Sequence, residues 1–454
     1  MQLSTFSVAA VVPLIIILYI APRLRCPKNL RHLPRVPLSS TLISLVMGET
    51  EERRVHRLFL PTAQKYGAGL LARALMDTRS ITKQRPREDM LFWQFTGLNT
   101  FILADGDIWR TQIQAVRRAL QTNVPIGTFV SICHKLIGII GDGGVVKWSD
   151  LSHRLTLDVV GQTVMGHDFQ SLEQPHGSLV AHYHSVMSEI TNPLYIAFPI
   201  LESWLPRKRL TARVSNLRAE FQRIVDTKKE RPGEDYVSFM LENPPSSESE
   251  YLDNVVTMFM TGHDTTAGAL STVVYYLAKY VHHQSRARAE VLSLLGENDD
   301  PSVQHFQEMK FMNACIRESM RLNGPSVATI PRLSASAIQL GPYTIPPNIP
   351  IVLNLYGVLH LGTTWDAPDS FLPERWLVQS EIDDAWMPFG TGLRRCPAMN
   401  FSLYEQRTVL TMLLRKYEWT LPPGSPHEDI IQNGLSTFAL NLPKDLKIDF
   451  RLIK

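Results

Sequence analysis

The stretch Pro388–Asn400, PFGTGLRRCPAMN, sets an aromatic ring, two glycines and two arginines immediately ahead of Cys396, and good helix formers follow the cysteine. A helix amino terminus has free N–H groups and a positive dipole end, which lower a thiol pKa and hydrogen-bond its sulfur. That suits a cysteine held as a thiolate, the form that binds a metal. Gly390 and Gly392 let the backbone turn tightly and approach closely a flat group that side chains would obstruct. An arginine here is a planar, permanently charged partner for a carboxylate on a bound group. Competing readings fit less well. As a dinucleotide loop, GTGLRR has Arg395 where GxGxxG needs its third glycine, and no strand–helix–strand frame surrounds it. As a nucleophile site it lacks a local base.

The chain around this loop has 454 residues, 44% hydrophobic and 20% charged, enough to bury a large core. Length alone suggests about three domains. No Gly/Ser-rich linker, low-complexity tract or repeat interrupts it after residue 40, so a single large helical fold around a buried cofactor uses the length equally well. A net charge of +3 is too mild for a nucleic-acid partner. Cys26, Cys133, Cys315 and Cys396 lie far apart and form no CxxC pair. That argues against a disulfide framework and a structural zinc, and for reduced thiols facing the cytosol.

Residues Phe6–Ala21, FSVAAVVPLIIILYIA, carry no charge and are followed by Arg23, Arg25, Lys28, Arg31 and Arg35. The run reads as a membrane anchor over residues 1–22. At about 1.5 Å per residue it is short for a bilayer core, a deficit that flanking residues and local thinning cover. A cleaved signal would carry positive charge ahead of the apolar run, and Met1–Ser7 has none. The basic cluster on the carboxyl side places the body in the cytosol. Residues 23–40, with Pro34 and Pro37, read as a stiff basic hinge, and 41–454 as the catalytic body.

Helical periodicity runs through Ile108–Leu120, Leu151–Met165, Thr211–Lys229, Leu252–Tyr280, Arg286–Leu295, Val303–Leu322 and Met399–Tyr417. Strand-like alternation is confined to pieces such as Ala337–Thr344 and Pro350–Leu355. The expectation is a mainly α body with small β-sheets. Near the middle, MFMTGHDTTAGAL (Met258–Leu270) buries an acid among threonines and glycines, an expensive arrangement unless something uses it. Threonine hydroxyls bonding backward can bend such a helix and open a groove. Glu318 and Arg321 share a helical face in FMNACIRESMRL, and Arg375 lies in the loop FLPERW. Alone, E-x-x-R is an ordinary surface pair. His263, His282 and His283 are expected to be solvated rather than metal ligands.

The cysteine loop resembles the heme-binding motif FxxGxRxCxG of the cytochrome P-450 superfamily through Phe389, Gly392, Arg394 and Cys396, with Ala398 in place of the last glycine. The overall pattern looks most like fungal microsomal members that tailor secondary metabolites. The resemblance covers about Pro34 to the carboxyl terminus and is best over Leu252–Leu414. It implies the P-450 fold with a single amino-terminal transmembrane helix. It also implies heme b, iron protoporphyrin IX, with Cys396 as the axial thiolate, a ligand that favours O–O cleavage. In the family the E-x-x-R helix, a P-E-R-F/W loop and the cysteine loop follow in this order. That implies a buried structural cluster of Glu318, Arg321 and Arg375. GPSVATIPR (Gly324–Arg332) resembles the segment over the heme, which assigns Arg332 to a propionate and Val327–Ile330 to the substrate pocket. Asn348 stands in a strand turn where glycine is usual, and asparagine tolerates a left-handed backbone.

Met258–Leu270 resembles the oxygen-activation motif, with Asp264 feeding protons and Thr265 holding the oxygen intermediate. Thr261 replaces a smaller residue there and faces the place where substrate and oxygen meet. Asp105–Arg110 resembles the W-x-x-x-R helix, which makes Trp109 a heme contact. Residue 113 is isoleucine, so the usual arginine is missing, and neither Arg110 nor Arg117 is an evident substitute.

The implied activity inserts one atom of O2 into an apolar small molecule. Electrons come from NADPH-cytochrome P-450 reductase, at the cytosolic face of the endoplasmic reticulum membrane. The family normally has a longer passage between Tyr66–Gly67 and Lys83–Pro86 than stands here, so the sheet edge is trimmed or the sequence lacks a piece. The alternatives are a heme-binding but non-catalytic variant impaired there, and a same-fold isomerase or dehydratase. The intact Asp264–Thr265 pair disfavours the second.

Overall fold

The longest helix is helical because its apolar residues recur on every face and its ends are capped. Ser247 accepts from the Glu250 N–H, Glu248 and Glu250 sit in the first turn, and Lys279 in the last. In this computed structural model, which describes residues 26–66, 81–121, 124–242, 247–296, 299–378, 385–434 and 440–453, that helix threads the core. The expected anchor Phe6–Ala21 and residues 67–80 of the shortened passage lie outside the described residues.

In chain order the long helices are α1 (Gly106–Gln121), α2 (Ile126–Ile140), α3 (Trp148–Val160), α4 (Ser178–Ile190), α5 (Lys208–Glu230), α6 (Glu248–Lys279), α7 (Val281–Leu295), α8 (Lys310–Asn323) and α9 (Met399–Lys416). The central helix α6 packs against α3, α8, α5 and α9. Gly262 permits the closest approach, because a Cβ there would stand 2.9 Å from Val160 Cγ2 of α3. Short strands form three small antiparallel sheets: β1 (Ile81–Lys83) with β3 (Arg332–Ser334), β4 (Ile338–Leu340) with β5 (Tyr343–Ile345), and β2 (Gly143–Lys147), β7 (Lys447–Leu452) and β6 (Tyr417–Thr420) in that order. The register Lys83↔Arg332 brings two distant basic residues side by side.

The body is mainly α with small sheets, as its periodicity implies. Among the described residues no helix is long and apolar enough to cross a membrane. A helix begins at Leu38 and straddles the boundary expected at residue 40, and His32 Nε2 lies 3.0 Å from the Thr344 carbonyl oxygen, which ties the basic segment to the β4–β5 hairpin. The run expected over Val303–Leu322 breaks at Met309, buried and non-helical at ψ 68°. Pro350–Leu355 is not a strand; Ile351 makes an isolated bridge to Arg332. Helices α2 and α4 went unanticipated, because β-branched residues and glycines in one and histidines in the other blur the apolar stripe. Asn348 adopts φ +58°, as expected of its turn.

Candidate active site

The cysteine loop folds as its glycines require. Gly390 and Gly392 both take φ +69°, and the Cys396 N–H donates to the Phe389 carbonyl at 2.9 Å. Cys396 stands three residues ahead of α9 and lines an apolar cavity with Phe389 and Gly390, while Gly392 lies on the outer side of the loop. Cys133 and Cys315 are buried away from the cavity. Burial pushes the Cys396 thiol up, and the Ala398 N–H and Arg395 offset this only in part. The loop alone therefore does not ionise the sulfur, contrary to the helix-terminus expectation. A coordinated metal deprotonates a thiol outright.

Three cations share one rim of this cavity. Arg394 stacks over the Trp109 ring at 4.1 Å and donates to the Ala104 carbonyl (2.8 Å) and Asp105 Oδ1 (2.5 Å). Arg332 and Lys83 join it across the β1–β3 ladder. Arg332 Nε is buried without a hydrogen-bond partner. Burial, then Arg332 and Arg394, pull the Lys83 ammonium down to about 7, with Asp105 only partly compensating. A rim with three cations and one carboxylate lacks anions. Of the arginines nearest in sequence to the one missing at Ile113, Arg110 pairs at the surface with Asp107, and Arg117 reaches the Leu393 carbonyl on the far side of the cysteine loop. Lys83 is the cation on the cavity side, and it lies outside every motif.

The opposite wall is α6. Thr261 and Thr265 line the cavity, and their hydroxyls bond backward to the Thr257 and Thr261 carbonyls, both at 2.7 Å. Asp264 does not line the cavity; it turns toward α3 and α4, where Tyr183 Oη donates to its Oδ2 at 3.2 Å. Of the segment Val327–Ile330, Ala328, Thr329 and Ile330 line the cavity and Val327 is buried behind it. The expectation of solvated histidines holds for the exposed His282 and fails for the other two. His263 is wholly buried against Phe259, and His283 is buried against Phe371, because both face packed helices. The rings of His282 and His283 lie 3.9 Å apart.

Beneath the cavity Glu318 gathers four donors: Arg321 (2.9 and 3.0 Å), Arg375 Nε (3.0 Å), Trp376 Nε1 (2.9 Å) and the Leu372 N–H (3.1 Å). Arg321 also donates to the Leu359, Pro368 and Ser370 carbonyls, and neither it nor Glu318 is exposed at all. These bonds tie α8 to the loop that leads toward the cysteine.

The family model described as Cytochrome P450 matches residues 63–449. The chain belongs to the cytochrome P450 family. It is 28% identical over 361 residues to the protein LUTEIN DEFICIENT 5, chloroplastic, of Arabidopsis thaliana, a match covering 72% of this chain and 60% of that protein. It is 25% identical to the cytochrome P450 monooxygenase xanG of Aspergillus fumigatus, covering 91% of this chain and 87% of that one. The fold is similar to the crystal structure of the cytochrome P450DA heme domain, with TM-score 0.71, 20% identity and 85% of each chain covered. This P450 family is one of monooxygenases that use heme with thiolate ligation, dioxygen and a redox partner. The cavity of this P450 fits that group on three counts. Its walls are apolar, its rim lacks anions that two propionates supply, and its floor presents a cysteine beside a glycine that leaves room for a flat ring.

Proposed function

We propose that this P450 inserts one oxygen atom from O2 into an apolar small molecule, with electrons from an NADPH-dependent reductase. Cys396 is assigned as the axial thiolate. Lys83, Arg332 and Arg394 are assigned to the propionates, Trp109 and Phe389 to the ring, Gly392 to the turn of the loop, and Glu318, Arg321 and Arg375 to its structural support. When bound, the heme supplies the activation of dioxygen and the one-electron chemistry. The chain orients the substrate against Thr265, excludes water with Ile113 and Ile330, and passes protons by way of Asp264 and the threonine hydroxyls. The reading rests on one observation: Cys396 and an anion-poor cationic rim face Thr265 across a single apolar cavity.

A membrane-anchored form at the endoplasmic reticulum, single-pass with the body in the cytosol, is proposed from Phe6–Ala21. Exposed Ile43 and Val46 on the helix Leu38–Val46 and Met47 just after it, with exposed Leu194 on the short helix Pro193–Ala197 that packs against it, support a lipid-facing side. The proposed substrate class, an intermediate of secondary metabolism, rests on the fungal likeness along 91% of the chain. The test supplies purified protein with reductase, NADPH and 18O2. The expected outcome is NADPH consumption and a product one labelled oxygen heavier. A product isomerised or dehydrated without label, or no turnover by a heme-loaded protein, would overturn the reading.

Lys83→Met is expected to loosen the heme. A charge-assisted hydrogen bond contributes about 1.5–3 kcal/mol, so heme affinity should fall about tenfold or more. The rate of heme transfer to an apoglobin measures it, and Lys83→Arg should restore most of the loss.

A further inference from the structure

The acid beside Thr265 is held by histidines whose tautomer the backbone fixes. His263 Nδ1 lies 2.7 Å from the Phe259 carbonyl oxygen, and His153 Nδ1 lies 2.6 Å from that of Ser149. A carbonyl oxygen only accepts, so each Nδ1 carries a proton and each neutral ring has its lone pair on Nε2. Both Nε2 atoms face the same carboxylate oxygen, His263 at 3.1 Å and His153 at 3.8 Å from Asp264 Oδ1. With both rings neutral and Asp264 ionised, lone pairs would oppose one another. The arrangement is attractive only when at least one extra proton resides in the cluster.

His263 Nε2 is buried with no aligned hydrogen bond, whereas the His153 and Asp264 side chains keep 19% and 15% of their surface accessible. The cluster thus has a sealed end and an open end. Its other titratable neighbours are Tyr183, the exposed His184 on α4, and Asp150 on α3, which is held by Arg154 at 2.5 Å. From α5, Glu220 and Arg218 are engaged by His182 and Asp253. Thr265, the next residue on α6, lines the cavity.

We propose that His153, His263 and Asp264, with Tyr183, form a proton-loading station behind the cavity wall, which fills from solvent at His153 and empties past Thr265. The proton passes from an imidazolium Nε2 to the Asp264 carboxylate and leaves a neutral ring and a carboxylic acid. The acid rotates about its Cα–Cβ bond toward the cavity and gives the proton to water there. The carboxylate then swings back, and the ring takes a replacement proton from solvent hydronium, which is left as water. This deepens the oxygenase reading and rests on it. The electrostatics agree in direction. Burial lowers the His263 pKa and Asp264 more than restores it, so the net direction is upward. Burial raises Asp264, but His263, His153 and His184 outweigh this and hold it at about 2. Asp264 therefore stays ionised while an imidazole stores the proton.

Two measurements test the station. In the diamagnetic ferrous–carbon monoxide form, the His263 ring resonances should titrate. Asp264→Asn should lower the His263 midpoint by about one pH unit or more, because an opposing charge is lost. With reductase and NADPH, dioxygen consumption should fall about a hundredfold or more in Asp264→Asn, the range of a lost proton donor. His153→Gln should flatten its pH profile, and His182→Gln, a ring engaged elsewhere, should leave the profile unchanged. If the wild type consumes dioxygen, yet Asp264→Asn leaves the His263 midpoint in place and His153→Gln keeps the wild-type profile, the station is refuted. If heme-loaded wild type consumes none, the oxygenase reading falls instead, and the His263 titration alone decides whether the proton store exists.

Discussion

Glu318→Gln is expected to leave little folded, heme-loaded protein. The carboxylate neutralises Arg321, which has no exposed surface, and nearly buried Arg375, while accepting from Trp376 and the Leu372 N–H. A glutamine of the same shape keeps one acceptor oxygen and turns an amide donor toward donors. Removing one partner of a buried ion pair costs about 3–5 kcal/mol, a large share of the roughly 5–15 kcal/mol by which a domain is stable. Here two arginines lose their counter-charge. The midpoint of urea denaturation and the heme-to-protein ratio after purification check this. Arg321→Lys should fail similarly, because one ammonium cannot reach Glu318 and the carbonyls of Leu359, Pro368 and Ser370 together. A wild-type denaturation midpoint in either variant would show that the cluster contributes no net stability.

What the sequence disclosed follows from how far apart the contributing residues lie. The cysteine loop and the E-x-x-R turn are local, so spacing alone places Phe389 and Gly390 beside Cys396, and Glu318 below Arg321. Lys83 was not legible. Its position on the rim arises from a three-residue ladder with Arg332, and nothing near KQRP signals that pairing. The histidine cluster was misread for a related reason. His263 lies on a helix polar enough locally to suggest exposure, and only the packing of α3 and α4 buries it. The direction of Asp264 was hidden too. Adjacent residues on a helix point about 100° apart, so an acid–threonine pair in sequence does not say which of the two rests against the cavity.

Cys396→Ser is expected to preserve the fold while abolishing the chemistry. The loop is closed by backbone bonds, from the Cys396 N–H to Phe389 and from the Gly390 N–H to Met387, and α9 buries Leu410, Leu413 and Leu414 whichever atom ends the side chain. Serine changes only the sulfur, so denaturation midpoints of the apoproteins should agree within about 1 kcal/mol. Iron binding, by contrast, depends on that atom. Its thiol resists ionisation in this protein, and only the gain from a soft sulfur–metal bond overcomes the resistance. A hydroxyl is harder to ionise and a poorer donor. Losing an outer-shell partner costs a metal site about 10–100-fold, and loss of the ligand itself should exceed that. The reduced protein with carbon monoxide should lack the red-shifted band of a thiolate-ligated heme, and NADPH-driven turnover should disappear. Full heme content, that band and wild-type turnover in the serine variant would exclude Cys396 as the ligand, since Cys133 and Cys315 lie buried away from this cavity.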